Sequence, residues 1–302
     1  MTLDLDTAFD PCHGEAVPVA PEVLRVTAPN AGPFTFHGTN SYVVGGSRSA
    51  IVVDPGPADD RHFAALMAAI DGRTVDAVLL THTHRDHSDL VARLVAETGA
   101  PILAEGPHRL SRLLHSGETN PMDAAGDMEL RPDRVVVDGE ILRLSAATIE
   151  AVATPGHTAN HMAFAVEGTG VLFCGDHVMS WSTTIVAPPD GSMADYMASL
   201  DRLIERGDTL LLPGHGSTVD QPQPLLRALK SHRRMREAAI LERLRAGDRT
   251  IPEIVGALYR QTDPRLHGAA GLSVLAHLED LAAKGRIEAE GEIVLGGHFR
   301  PT

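Results

Sequence analysis

The 302-residue sequence has few cysteines and no long apolar run. Its two cysteines, Cys12 and Cys174, are too few for a disulfide framework, which excludes the small disulfide-stapled class and favours a reducing compartment. No apolar run approaches the roughly 20 residues that span a bilayer, so we expect no membrane partner. The acidic N-terminal stretch also lacks the basic start and apolar core of a secretory signal. We therefore predict a cytoplasmic protein.

The acidic charge of the chain is concentrated in its first part. The whole chain carries a net charge of −14, with 13 Lys and Arg against 30 Asp and Glu in residues 1–220 and 13 against 10 in residues 221–302. The two parts therefore carry −17 and +3. An acidic body repels polyanions at long range, which argues against a nucleic-acid partner for the first part.

A basic segment in the second part is the candidate for holding a nucleic acid. Lys230, Arg233, Arg234 and Arg236 lie close together on a predicted helix. Glutamates lie between these basic residues. The segment has no aromatic residue that could stack on a base, and aromatic residues make up only 4% of the chain. We favour a solvated helix face over an RNA-binding surface.

Short apolar runs alternate with helical patterns over residues 1–220. The runs are rich in β-branched residues and bounded by Gly, Pro or Asp, so they predict strands. They are AIVVDPG, VDAVLLTH, APILAEG, RVVVDGEIL, TIEAVATPGH, GVLFCGDH and TLLLPGHG. Apolar spacings of three and four residues predict helices at His62–Ile70, Ser88–Thr98, Gly106–His115 and Asp195–Glu205. This alternation indicates an α/β layered domain.

The pattern after residue 220 is helical. A Pro-rich join, QPQP, precedes predicted helices at Leu225–Arg245, Thr250–Tyr259 and Ala269–Ile287, and a short hairpin is predicted at Glu288–Gly297. Three helices followed by a hairpin is the order of a winged helix, a small domain used for DNA binding and for protein contacts. We predict a second domain over residues 221–302.

Potential metal ligands are concentrated in the segment THTHRDH, residues 81–87. His82 and His84 project to the same side of an extended backbone, so they can share one ion. Asp86 and His87 follow where the chain turns into a helix, and adjacent residues point apart there. The segment therefore leaves room for a second ion.

Three further candidates follow apolar runs downstream. His157 ends VATPGH, Asp176 ends LFCGD and His215 ends LLLPGH, each beside a glycine that lets the backbone approach closely. Four strand ends thus supply seven ligand-type side chains, which argues against ordinary turn residues. Imidazole and carboxylate without thiolate suit zinc, with iron or manganese as alternatives.

The motifs THTHRDH, TPGHT, GDH and PGHG, in that order, resemble those of the metallo-β-lactamase-fold hydrolases. HGTNSYVV, DYMASLDRL and AHLEDLAAKGRI are similar to the subgroup that contains β-lactamase-like protein 2 and carries a C-terminal winged helix. The resemblance spans nearly the whole chain. It implies a four-layer αβ/βα sandwich as the catalytic domain, residues 1–220, and a winged helix over residues 221–302.

The resemblance also implies how the ligands are shared. It implies two zinc ions, the first held by His82, His84 and His157, the second by Asp86, His87 and His215, with Asp176 bridging them. Two such ions can bridge a water, lower its pKa to about 7 and hold a hydroxide as nucleophile. We expect Asp86 to orient that hydroxide and to pass its proton to the leaving group.

Six further residues near these motifs are candidates for contact with a ligand or a substrate. Asp54 either hydrogen-bonds a ligand histidine or caps a turn. Tyr196 either donates to an oxyanion or packs in a helix face. Trp181 is either an apolar contact in a cleft wall formed by the loop STTIVAPPDGSMADY or a core residue. The remaining candidates are His37, His161 and His177.

Seven further histidines have no ligand spacing, and we interpret them as structural or solvent-facing. They are His62, His108, His115, His232, His267, His277 and His298.

We predict a dinuclear zinc-dependent hydrolase that cleaves an acyl bond, a thioester, ester, lactone or amide, of a small molecule. The resemblance keeps open an endoribonuclease that cuts single-stranded RNA with the same site. An iron-dependent sulfur dioxygenase and a non-catalytic winged-helix binding protein are further alternatives. A homodimer is the alternative to a monomer.

Overall fold

The computed structural model describes residue 3 and residues 5–302. Within these residues, two β-sheets pack face to face, helices cover both outer faces, and a smaller helical domain follows. None of the helices in this part of the chain is both long enough and apolar enough to cross a membrane.

The first sheet runs in chain order. Its strands in the described residues are β1 (Ala16–Ala20), β2 (Val23–Thr27), β3 (Asn40–Val44), β4 (Ser49–Val53), β5 (Thr74–Leu79), β6 (Ile102–Ala104) and β7 (Arg134–Val135). The crossover from β4 to β5 is parallel, so both strands end at the same edge of the sheet. Its helices are α1 (Asp60–Ile70), α2 (Arg85–Ser88) and α3 (Val91–Thr98).

The second sheet has the order β13-β12-β11-β10-β9-β8. Its described strands are β8 (Ile141–Arg143), β9 (Thr148–Ala153), β10 (Met162–Val166), β11 (Val171–Gly175), β12 (Leu210–Pro213) and β13 (Val219–Asp220). Its outer face is covered by α4 (Met193–Glu205) and by the first half of α5 (Pro222–Ala246). The Ser192 hydroxyl caps α4 by accepting a hydrogen bond from the backbone N–H of Asp195.

The main core lies between the two sheets. Ile51 and Leu79 of the first sheet meet Phe164, Phe173 and Leu212 of the second, and all five are buried. Full burial of one such side chain contributes about 1.5–3 kcal/mol. Separate apolar clusters join each sheet to its outer helices. The order helix, sheet, sheet, helix confirms the predicted four-layer sandwich.

The C-terminal region has its own core. Its elements after α5 are α6 (Ile251–Leu258), a short 3-10 helix (Pro264–Leu266), α7 (His267–Ala283), β14 (Ile287–Ala289) and β15 (Phe299–Pro301). Leu244, Ile254, Leu278 and Phe299 are buried together at its centre. Three helices followed by an antiparallel pair of strands confirm the predicted winged-helix arrangement. The predicted hairpin at Glu288–Gly297 is displaced, because residues 290–298 form the loop and β15 follows it.

Helix α5 contributes to both cores. Leu226 and Leu229 in its first half pack into the layer that covers the second sheet, whereas Ile240 and Leu244 in its second half pack into the C-terminal core. The domain division predicted between residues 220 and 221 stays a prediction, since the helix that begins there is shared.

The helix predicted at Gly106–His115 is wrong. This segment is irregular, and its side chains bond to distant parts of the chain instead of supporting a helix. The Ser111 hydroxyl donates to the carbonyl oxygen of Pro189, at 2.7 Å, and Arg112 pairs with Glu279 at 2.7 Å. Contacts of this kind override an apolar spacing of three and four residues.

His62 in α1 gives a pH dependence of stability. Its Nε2 atom lies 2.9 Å from Ser41 Oγ and 3.1 Å from the carbonyl oxygen of Pro55, and burial lowers the pKa of the ring to about 4. The unfolded chain binds a proton at this residue near pH 6.5, whereas the folded chain does so only near pH 4. The contribution of neutral His62 to the stability of the folded chain is therefore fully present above pH 6.5, and it is lost as pH falls from 6.5 to 4.

As pH falls from 6.5 to 4, we expect the unfolding free energy of His62→Gln to decrease by about 3 kcal/mol less than that of the wild type. Urea unfolding of both proteins at several pH values measures this difference. His298→Gln, at an exposed position, serves as the control and should keep the wild-type slope. Parallel curves for wild type and His62→Gln would contradict the expectation.

Candidate metal centre

The loops that follow four strands meet at one end of the sandwich. The loop after β5 carries the THTHRDH motif, and the loops after β9, β11 and β12 carry His157, Asp176 and His215. The helix predicted at Ser88–Thr98 is interrupted, and the separate short helix α2 holds Asp86 and His87 at the site. All seven predicted ligands are brought together.

Three histidine nitrogens form a first group. His84 Nδ1 lies 3.0 Å from His82 Nε2 and 3.0 Å from His157 Nε2. Atoms at such separations can bind one ion in a shared coordination sphere, and all three residues are buried. The alternation of side chains along extended backbone places His82 and His84 on one side, as predicted.

A second group joins the other candidates. Asp86 Oδ2 lies 3.5 Å from His87 Nε2 and 3.4 Å from His215 Nε2. The Asp176 carboxylate lies between the two groups, with Oδ1 3.4 Å from His87 Nε2 and Oδ2 3.3 Å from His215 Nε2 and 3.7 Å from His157 Nε2. Its two oxygens can therefore serve both groups.

The donor atoms fit divalent metal ions. His87 Nε2 and Asp176 Oδ1 are buried, and neither makes a hydrogen bond with any described residue. An unpaired buried polar atom is costly, so pairs of this kind call for a ligand between them. Nitrogen and carboxylate donors without thiolate suit zinc and related ions. The clusters can hold metal.

The protonation of the metal-free site follows from burial and charge. Burial, helped by the charge of His87, lowers the pKa of His82 well below its usual range, so this ring is neutral and ready to bind a metal. Burial opposes ionisation of Asp176, but His215 and His87 hold its pKa well below the ordinary value. The carboxylates of Asp86, Asp176 and Asp54 raise the pKa of His87 despite burial. A metal must displace that proton.

A layer of hydrogen bonds orients the predicted ligands. The Asp54 Oδ2 atom lies 3.0 Å from His87 Nδ1, and its carboxylate also accepts from the backbone N–H of Thr81 at 2.8 Å. His157 Nδ1 donates to the carbonyl oxygen of Ile185 at 2.7 Å. Such contacts fix the ring tautomer and direction. Of the two roles predicted for Asp54, the structure shows the first, a hydrogen bond to the predicted ligand His87.

The sequence did not single out Asp190 and His108 as part of the site. Asp190 Oδ2 lies 3.4 Å from His108 Nε2 and 3.9 Å from His84 Nε2, and Thr83 Oγ1 lies 3.0 Å from His108 Nδ1. Burial opposes ionisation of Asp190, but His108 and His84 lower its pKa. His108 belongs to neither donor group, so its place in this network agrees with the structural role expected for it. The signal for Asp190 was its place in the loop predicted as a cleft wall.

Two more polar groups hold the carboxylates. Thr39 Oγ1 donates to Asp86 Oδ2 at 3.1 Å, a contact that no spacing in the sequence indicates. His161 Nε2 accepts from the backbone N–H of Asp176 at 3.2 Å, while its Nδ1 lies 2.8 Å from Thr154 Oγ1. His161 therefore lies behind Asp176 rather than at the cleft surface.

His177 and Tyr196 lie in the core rather than in the cleft. Their rings pack with centroids 4.7 Å apart, both residues are fully buried, and Tyr196 lies on the inward face of α4. His177 follows Asp176 in the turn after β11, where its backbone N–H donates to the carbonyl oxygen of Cys174, and its side chain lies in the core instead of the cleft. Of the two roles predicted for Tyr196, the structure places it in helix packing.

His37 and Trp181 belong to an aromatic cluster beside the site. The Phe36 ring stacks on Trp181 with centroids 4.6 Å apart and meets the His37 ring edge-on at 4.1 Å. His37 does not border the cavity over the ligand groups, whereas Trp181 lines the cavity next to it.

A cavity of about 310 Å³ lies over the ligand groups. Its floor includes His84, Asp86, His157, Asp176 and His215, and its apolar walls are Phe34, Met122, Met179 and Ile185. A mostly apolar cleft with converging polar groups is typical of a small-molecule site.

Comparison with known proteins identifies the family. The Metallo-beta-lactamase superfamily matches residues 34–215 and the Beta-lactamase associated winged helix domain matches residues 250–296. The Beta-lactamase-like protein 2 homolog of Drosophila melanogaster is 28% identical over 280 residues, covering 88% of this chain and 89% of that protein. The Atrochrysone carboxyl ACP thioesterase of Aspergillus chevalieri is 28% identical over 289 residues, covering 86% and 85%.

A solved structure agrees with the fold. A beta-lactamase domain protein from Burkholderia ambifaria superposes with a TM-score of 0.79 at 23% identity and covers 99% of this chain and 97% of that chain. Together with the two matched domains and the grouped donor atoms, this agreement accounts for nearly the whole chain. The chain therefore belongs to the metallo-beta-lactamase superfamily and is a metal-dependent hydrolase with a C-terminal winged helix.

Proposed function

We propose that this hydrolase holds two zinc ions and cleaves acyl bonds, with thioesters as its substrates. The observation that carries the proposal is the pair of donor groups joined by the Asp176 carboxylate, whose oxygens lie 3.7 Å or less from His87, His215 and His157. A relative named as an acyl carrier protein thioesterase, similar over 86% of this chain, supports the thioester class.

The two donor groups suggest which residues would hold each ion. His82, His84 and His157 would hold one, Asp86, His87 and His215 the other, and Asp176 both. Bound divalent ions supply activation of water near neutral pH and polarisation of the substrate carbonyl. The apolar walls of the 310 Å³ cavity limit bulk water around the reacting group.

Asp86 is the residue placed to move the proton. Its side chain is 28% exposed, borders the cavity and is held by the Thr39 hydroxyl. In thioester hydrolysis, water oxygen bonds to the carbonyl carbon, the C–S bond breaks, and one proton of the water ends on the leaving sulfur. Asp86 can accept that proton from water and deliver it to the sulfur.

The basic segment of α5 favours the acyl substrate over RNA. Lys230 pairs with Asp201, Arg233 is buried, and the Arg236 guanidinium lies 4.4 Å from the centre of the Tyr259 ring. Of the four basic residues singled out in the sequence, only Arg234 is exposed. Binding along a nucleic-acid backbone needs several exposed cations on one face, which this segment does not present. The RNA alternative, the homodimer and the cytoplasmic location stay predictions.

Metal content and turnover test the proposal together. Protein purified without chelator should contain two zinc per chain and hydrolyse members of an acyl thioester panel. Asp86→Asn should lower kcat by roughly 10²–10⁴-fold, the usual contribution of general acid–base catalysis. Asp195→Asn, at an exposed position in α4, is the matched control and should retain turnover.

Other outcomes would favour the alternatives. One iron per chain with oxygen consumption would favour the sulfur dioxygenase. Cleavage of single-stranded RNA that is lost in Asp86→Asn, without thioester turnover, would favour the ribonuclease.

A further inference from the structure

A second cavity, of about 600 Å³, lies between the sandwich and the C-terminal domain. Phe34, Met179 and Ile185 line both this cavity and the one over the ligand groups, so the two spaces adjoin. Its volume is in the range of pockets that bury a small organic molecule. A substrate cut at the ligand groups can therefore extend into it.

The charged side chains that the structure describes along this cavity are positive, although the chain is acidic overall. Arg233 and Arg236 of α5 line it, and none of its described lining residues is Asp or Glu. Arg233 is only 4% exposed, and its guanidinium donates to the carbonyl oxygen of Thr184 and to Ser273 Oγ, while its Nε atom has no hydrogen-bond partner among the described residues. A buried cation without a carboxylate is costly until an anion pairs with it.

Arg236, like Arg233, has no carboxylate partner among the described residues. No described carboxylate lies within 4.0 Å of its guanidinium, which stacks on Tyr259. Its neighbour His232 has a buried Nδ1 atom without a hydrogen-bond partner in the described residues, and burial together with Arg233 and Arg236 lowers the pKa of this ring to about 4. Positive charge is therefore concentrated here and left uncompensated by the described residues.

The rest of the cavity is apolar. Trp181 lies on the sandwich side, and Leu258, Tyr259, Leu266 and Ala270 lie on the side of the C-terminal domain. A ligand that fills the cavity thus needs an apolar body, and the arginines add a need for negative charge.

We propose that the interdomain cavity binds the non-reacting end of the acyl group and selects acyl groups that are apolar and end in a carboxylate, with Arg236 and Arg233 as the pairing cations. This proposal rests on the proposed function, because the acyl bond itself is placed at the adjoining ligand groups. Guanidinium and carboxylate form paired hydrogen bonds, which makes arginine suited to this recognition.

Fluorescence measures the selection without turnover. Trp181 is the only tryptophan of the chain and lines the cavity, so its emission reports occupancy. The full-length, metal-loaded protein is titrated with 4-phenylbutyrate and with the neutral 4-phenylbutyramide, which have the same apolar body. We expect a saturable change for both and a Kd about 10-fold or more lower for the carboxylate, the effect of one charge-assisted hydrogen bond.

Substitutions in α5 test whether the ligand carboxylate binds at Arg236. Arg236→Gln should reduce the ratio of the two Kd values to near 1, and Arg236→Lys should retain part of it. Arg234→Gln, at the exposed neighbouring position, is the matched control and should keep the wild-type ratio. Equal binding of acid and amide by the wild type would overturn the proposal, as would a preference that survives in Arg236→Gln, since the anion would then lie elsewhere.

The two proposals fail separately. Loss of thioester turnover with an intact preference for phenylbutyrate would contradict the proposed function and leave a cavity for apolar anions. Equal affinity for acid and amide with intact thioester turnover would contradict only the assignment of the cavity. The comparison of the two ligands on the wild-type protein needs no variant to fold.

Discussion

Replacing Gly214 by alanine is expected to reduce kcat/KM by more than about 100-fold, because the added methyl displaces the donors of the site. A Cβ atom at this position would lie 2.4 Å from Asp176 Oδ1 and 2.6 Å from His87 Cε1. Both atoms belong to predicted ligands packed in a buried site, so one of them must move. A shift near 1 Å in a reacting group is enough for a loss of this size.

Metal content distinguishes this effect from misfolding. Gly214→Ala should retain its far-UV circular dichroism while binding fewer than two metal ions per chain. Gly256→Ala in α6, where an added methyl meets no atom within 4 Å, is the matched control and should keep full metal and turnover. Full occupancy and activity of Gly214→Ala would show that the site tolerates the displacement.

Asp176→Ala is expected to have the larger effect on metal binding, since this carboxylate is shared by both donor groups. Its removal takes away the carboxylate that lies near His87, His215 and His157, and leaves Asp86 as the remaining carboxylate beside His87 and His215. We expect at most one zinc per chain and turnover lowered more than about 100-fold, beyond the 10–100-fold typical for loss of a partner that only orients a ligand.

Asp54→Asn provides the graded comparison. Asp54 touches His87 only through the Nδ1 atom that faces away from the donor group, so its loss should weaken metal binding by about 10–100-fold. Equilibrium competition with a chromophoric chelator measures the affinities of both variants. Equal affinities for Asp176→Ala and Asp54→Asn would contradict the shared position assigned to Asp176.

The sequence predicted the parts of the site that depend on local backbone geometry. His82 and His84 share a face because side chains alternate on extended chain, and Asp176 and His215 follow short apolar runs whose flanking residues predict strands. The meeting of the loops after β5, β9, β11 and β12 depends on strand direction and sheet packing, which only the structure gives, for example in the parallel pairing of β11 with β12.

The parts that depend on long loops were not predictable. His108 reaches Asp190 only because the irregular segment around it is tied to the PPDG loop by Ser111, a contact between residues 78 positions apart. No periodicity encodes such a contact. His177 illustrates the opposite error, because proximity to Asp176 in sequence does not place it in the cleft.

The division of α5 between two cores has a consequence for how the protein unfolds. Melting of the winged helix frays the second half of a helix whose first half covers the second sheet, so disruption is transmitted from one domain to the other along continuous backbone hydrogen bonds. The chain should denature in a single cooperative transition, and cutting it at residue 220 would leave Leu172 and Leu211 of the sheet without the apolar cover of Leu226 and Leu229.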